Sequence, residues 1–187
     1  MPLSSLQSDV LRRLAAQRNP ESNVAGSTPL HRDGPRFSSD IDIFHHREER
    51  VAAAATEHVA ILSKAGFKVE WLRCEPGIHA VSVERGEDST KLEWVRDSDS
   101  RFYPAMSDAL FGYTLHLVDI ATNNALAATG RRAPRDALDL LYVHEHHLPW
   151  GQSVGQPSAR IPDIRRKASS RRFGETHATA TTSTRRC

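Results

Sequence analysis

Hydrophobic spacing divides the chain into short elements of alternating period. Leu6, Val10, Leu11 and Leu14 recur at helical spacing and predict an amphipathic helix over residues 4–18, stopped by Asn19-Pro20. A short run over 23–30 contains Gly26-Ser27, and His31-Arg32-Asp33-Gly34-Pro35 has the composition of a turn. Residues 40–44, Asp-Ile-Asp-Ile-Phe, alternate polar with apolar and predict a strand. Val51, Ala55, Val59 and Leu62 form one stripe of a helix over 47–65, with Gly66 suited to its C-terminal cap. Three strand-like runs follow at 67–73, 78–84 and 90–95, separated by Glu75-Pro76-Gly77 and Arg85-Gly86-Glu87-Asp88, as in an antiparallel meander. Helical patterns return at 105–112, 115–129 and 134–146, with Gly130 ending the second and Pro134 opening the third.

The pattern changes after Trp150. Residues 151–187 carry few large apolar side chains, and Arg, Ser, Thr and Ala dominate. Such a segment buries too little surface to offset chain entropy, which predicts a basic, disordered tail behind a folded domain over 1–150. The tail holds eight Lys/Arg against two Asp/Glu, which leaves 17 against 21 in the rest. The overall charge of +2 therefore conceals a mildly acidic body. Arg165, Arg166, Lys167, Arg171 and Arg172 are a candidate contact for RNA phosphates, set against the plainer reading of a solvated tail.

Composition excludes some classes. Apolar residues are 39% of the 187, enough for a core, yet nowhere do about 18 run together as a membrane-spanning helix requires. The first residues lack the apolar core of a secretory signal, and Cys74 and Cys187 make no disulfide framework; a reducing, cytoplasmic setting is expected. The ten histidines include His45-His46 and His144-Glu145-His146-His147, neither at the spacing of a zinc-protease helix.

Candidate chemistry centres on Asp40-x-Asp42. Residues i and i+2 of a strand share a face, about 6.6 Å apart along it. Two carboxylates there repel one another unless a cation joins them, and hard oxygen ligands suit Mg²⁺ or Mn²⁺. Glu93 lies opposite in phase to Leu92 and Trp94. If its strand lies beside the aspartate strand, Asp40, Asp42 and Glu93 converge on a site for one or two metal ions. Gly26 permits close backbone approach to a phosphate, and the Ser27 hydroxyl can hold its oxygens.

Gly26-Ser27, the Arg36-Phe37-Ser38 lead-in and Asp40-x-Asp42 together resemble the nucleotidyltransferase signature of the AbiEii/AbiGii abortive-infection toxins, within the polymerase-beta-like superfamily. A second block agrees: Asp119 through Ala128, Arg131, then Pro134-Arg135-Asp136-Ala137-Leu138-Asp139-Leu140. The resemblance spans residues 20–148. It implies an α+β fold, a polymerase-beta-like core with a mixed or antiparallel sheet, flanking helices and a C-terminal helical portion. It implies transfer of a nucleoside monophosphate from an NTP to an acceptor, tRNA in some members, by the toxin of a type IV toxin–antitoxin pair with a cognate antitoxin. Asp40, Asp42 and Glu93 would hold metal, with Glu93 or Asp136 in catalysis, and Gly26, Ser27, Arg135 and Asn124 would contact the nucleotide. The family motif places a lysine where this chain has Asn124, so a degenerate member that binds a nucleotide or partner without catalysis is the alternative. Family members also continue past Trp150 with ordered helical sequence, so the break there reads as a frameshifted or truncated C-terminus.

Overall fold

The computed structural model describes residues 3–32, 34, 36, 38–98, 100–130 and 134–147. The expected tail, and the Arg131 and Arg132 of the second block, lie outside the described residues.

Helix α1, Ser5–Leu14, opens with a capping box. The Ser4 hydroxyl accepts from the Gln7 N–H at 3.0 Å, and the Ser4 N–H donates to Gln7 Oε1 at 3.1 Å. A 3₁₀ turn, Ala15–Gln17, ends it short of Pro20. Strand β1, Ser22–Ala25, and the single-turn helix α2, Ser27–Leu30, flank Gly26. Strand β2, Asp40–His45, precedes helix α3, Glu48–Lys64. The meander follows as β3, Lys68–Glu75, β4, Ile78–Arg85, and β5, Asp88–Arg96. Short strands β6, Met106–Asp108, and β7, Gly112–Thr114, lead to helices α4, Leu117–Gly130, and α5, Pro134–His146.

These strands form one seven-stranded sheet in the order β3-β4-β5-β2-β1-β7-β6. The pairs β2/β5 and β1/β7 are parallel and the others antiparallel, so the sheet is mixed. Helices α1 and α3 cover one face over a core that includes Leu11, Leu14, Ile41, Ile43, Leu92 and Trp94. A second, smaller core of Ala25, Leu30, Leu115, Ile120, Ala121 and Val143 attaches α4 and α5 near the end of β1. None of the described helices is long and apolar enough to cross a membrane.

Two expectations are corrected. Residues 105–112 form no helix but most of the β6/β7 hairpin. Asp108 Oδ1 accepts from the backbone N–H groups of Leu110 and Phe111 at 2.7 and 2.9 Å, a side-chain turn that competes with helix. Gly112 then takes a φ of +72°, with the Ala15 carbonyl so near that a β-carbon would stand 2.4 Å from it. On α3 the fully buried stripe is Val51, Ala55, His58 and Leu62, with His58 in the place expected for Val59. His58 belongs there because its Nδ1 accepts from the buried Trp94 Nε1 at 2.8 Å.

One polar residue of the helical layer reaches through to the strands. The Gln7 amide, fully buried, donates to the Ser38 carbonyl at 2.7 Å and to Thr90 Oγ1 at 3.2 Å. Thr90 in turn donates to the Ser39 carbonyl at 2.9 Å.

Candidate active site

Strand alternation builds the site. On β2, Ile41 and Ile43 are buried under the helices, which turns Asp40, Asp42 and Phe44 to the opposite face. On β5, Leu92 and Trp94 do the same and turn Lys91, Glu93 and Val95 outward. The parallel register sets Asp40 beside Lys91 and Asp42 beside Glu93. All four polar side chains line one open cleft of about 400 Å³. Gly26, Ser27, Asn124, Arg135 and Asp136 line it too, so residues singled out from four separate stretches of sequence meet in one place.

Gly26 closes tightly on Asp42. Its φ of +76° and ψ of −151° belong to a region that is almost exclusively glycine's. A β-carbon there would lie 3.0 Å from Asp42 Oδ2. The Ser27 hydroxyl donates to Ser38 Oγ at 3.2 Å, and Ser38 Oγ donates to the Asp40 carbonyl at 3.0 Å. Thr28 Oγ1 donates to the same carbonyl at 2.9 Å, which ties the Gly26 turn to the first residue of β2.

The helical wall comes from α4 and α5. Asp136 is buried, and Arg135 Nε stands 4.0 Å from its Oδ1. Asn124 is 7% exposed, and its Nδ2 is a buried donor without a hydrogen-bond acceptor. A buried donor left in that state is costly unless a ligand accepts from it.

Sequence reasoning passed over three of the charged groups. Lys91 lines the cleft, and its Nζ lies 2.6 Å from Glu93 Oε1. That hydrogen bond, with lesser help from Asp40 and Asp42, raises the Lys91 pKa above its ordinary value. The period of two that exposed Glu93 places Lys91 on the same face, so the signal was present. Arg36 was quoted only as part of a lead-in. Asp139, read as a cap or pair within its own helix, instead binds Arg36 and His31 far away in sequence.

The donor set suits a hard divalent cation: two aspartates and a glutamate on adjacent parallel strands, with the Lys91 ammonium standing among them as a resident positive charge. The acids do not form a ready cage. Among the described residues, no three His, Cys, Asp or Glu side chains are grouped closely enough to hold an ion, and Glu93 is engaged by Lys91.

Known structures share this architecture. A protein from H. pylori classed as a nucleotidyltransferase aligns over 88% of this chain and 79% of its own, with a TM-score of 0.62 at 16% identity. JHP933 from Helicobacter pylori aligns over 88% and 76%, with a TM-score of 0.59 at 15% identity. The chain thus has the α+β nucleotidyltransferase fold, with a polymerase-beta-like core and flanking helices, and at these identities the likeness concerns fold alone. No protein-family model and no curated protein matches the sequence.

Proposed function

We propose that the chain is a metal-dependent nucleotidyltransferase, moving a nucleoside monophosphate from an NTP to an acceptor hydroxyl. The observation that carries this reading is the pairing of Asp42 with Glu93, and of Asp40 with Lys91, along one face of two parallel strands at a polar cleft. The acceptor oxygen forms a bond to the α-phosphorus, the α–β bridging P–O bond breaks, and its electron pair leaves with pyrophosphate. Glu93, once parted from Lys91, joins the metal ligands or takes the hydroxyl proton. Asp40 and Asp42 hold the metal. Gly26 and Ser27 receive phosphate oxygens, while Asn124, Arg135 and Asp136 orient the nucleotide or the acceptor. Mg²⁺ or Mn²⁺, when bound, would polarise the phosphoryl oxygens and lower the pKa of the attacking hydroxyl.

The finer assignment rests on the sequence resemblance: a toxin of the AbiEii/AbiGii kind in a type IV toxin–antitoxin pair, cytoplasmic, opposed by a cognate antitoxin, with tRNA or another RNA as acceptor. The domain is taken as residues 1–150, and the basic 151–187 segment is its uncharacterised appendage.

A second reading has its own support. Asn124 is uncharged where the resemblance places lysine, and Glu93 is engaged by Lys91; a non-catalytic member that binds nucleotide or a partner protein would have the same features. Labelled NTPs offered with total RNA separate the two. Transfer that falls at least about 100-fold in Asp40→Asn and Asp42→Asn, with unfolding midpoints kept, supports the enzyme. Wild-type protein that binds NTP yet transfers nothing supports the second reading.

A further inference from the structure

Among the described residues, three cations line the cleft: Arg36, Lys91 and Arg135. Two have other commitments or positions. Arg36 donates through Nε and Nη2 to both oxygens of Asp139 at 2.8 and 2.6 Å, which fixes it to α5. Arg135 lies on the helical wall with more than half its side chain exposed, beside Asp136. Lys91 alone stands on the strand floor, in register with Asp40 and two residues from Glu93. An ammonium has three donors, and Lys91 uses one of them on Glu93. Asn124, at the position where a family lysine is expected, offers an amide donor but no charge.

We propose that Lys91 is the phosphate-binding cation of this site, holding the pyrophosphate portion of the bound NTP. The inference rests on the nucleotidyltransferase reading and assigns within it a charge that Asn124 does not carry. In the ligand-free chain the ammonium neutralises Glu93. When a nucleotide enters, the same ammonium turns to non-bridging phosphate oxygens, and the Glu93 carboxylate is released for its own task. As the α–β bond breaks, negative charge grows on the departing pyrophosphate, where a nearby fixed cation stabilises it. The flexible four-carbon stem of lysine permits this exchange between partners, which the planar fork of Arg36, fixed on Asp139, does not.

The test is calorimetric titration of the full chain and its Lys91→Met, Lys91→Gln and Lys91→Arg variants, with Ca²⁺ as the metal. The probes are inorganic pyrophosphate, each of the four NTPs, and the matching monophosphates. Loss of one charge-assisted contact to phosphate is expected to weaken pyrophosphate and NTP about 10- to 100-fold in the Met and Gln variants. Lys91→Arg keeps the charge and is expected to stay within about threefold of wild type, and monophosphate binding is expected to change little in all three. Wild-type binding retained within about threefold by Lys91→Met and Lys91→Gln overturns the proposal, as does an equal loss in Lys91→Arg. Wild-type protein that binds neither NTP nor pyrophosphate overturns the nucleotidyltransferase reading itself, and this inference with it.

Discussion

Asp139 on α5 accepts two hydrogen bonds from the Arg36 guanidinium, across 103 residues of chain, while its Oδ1 also meets His31 Nε2 at 2.7 Å. Asp139 and His31 are both almost wholly buried, and Arg36 is a quarter exposed. Removing the carboxylate strands two partners at once. Asp139→Ala is expected to cost about 3 kcal/mol in denaturant unfolding, and to free α5 amides for hydrogen exchange before those of β2 and β5. An unfolding midpoint within error of wild type would contradict it.

Gly26→Ala is expected to act on stability and on the site together. The backbone conformation there costs a non-glycine residue about 1–3 kcal/mol, and the added methyl presses on Asp42 Oδ2. Thermal unfolding measures the first effect. Weaker Mn²⁺ binding, read by paramagnetic resonance, measures the second. A variant that loses stability yet binds Mn²⁺ as wild type would detach Gly26 from the metal site.

Asn124→Leu is expected to leave stability unchanged or raise it by up to about 1 kcal/mol, because it replaces a buried donor without an acceptor by an apolar group of similar size. Nucleotide affinity is expected to fall in the same variant. A loss of stability would mean that the Asn124 amide is satisfied within the protein.

Stability is expected to depend on acid through two histidines on the covered face of the sheet. Burial first, then the positive charges of Arg50, Arg18 and His46, lower the His45 pKa to about 4. Burial, with Arg18 and His45, lowers that of His58 to about 3. The unfolded chain binds these protons near pH 6.5, the folded chain only far below, so stability is full above 6.5 and declines as pH falls from there towards 3–4. The loss is expected to reach a few kcal/mol across that window. His58→Gln keeps an acceptor for Trp94 Nε1 and is expected to flatten the profile; a slope equal to wild type would rule His58 out as its source.

The strand positions were legible because each strand is buried on one side only, so alternation shows directly in Asp40–Phe44 and Lys91–Val95. The helix of 134–146 was legible from Pro134 and its apolar spacing. The parallel pairing of β2 with β5 was stated only as a condition, since alternation along one strand is silent about its neighbour. The β6/β7 hairpin was misread because Met106-Ser107-Asp108-Ala109-Leu110-Phe111 contains apolar residues at helical intervals, and a side-chain turn at Asp108 with a left-handed Gly112 overrides them. The Arg36–Asp139 pair was illegible because long-range ion pairs have no local pattern. Lys91 was overlooked for a different reason: attention went to the acids, and the charge that opposes them sits in the same phase.

The Gln7 amide gives α1 a bearing on chemistry it never touches. Its side chain holds the residue two before Asp40 and the residue just before Lys91, so it rivets the two acid-bearing strands together from behind. The gap across the jaws of the cleft is therefore gauged by an uncharged group on the rear of the sheet. Shortening or branching that one side chain would retune the distance between the acids while leaving every residue of the cleft as it is.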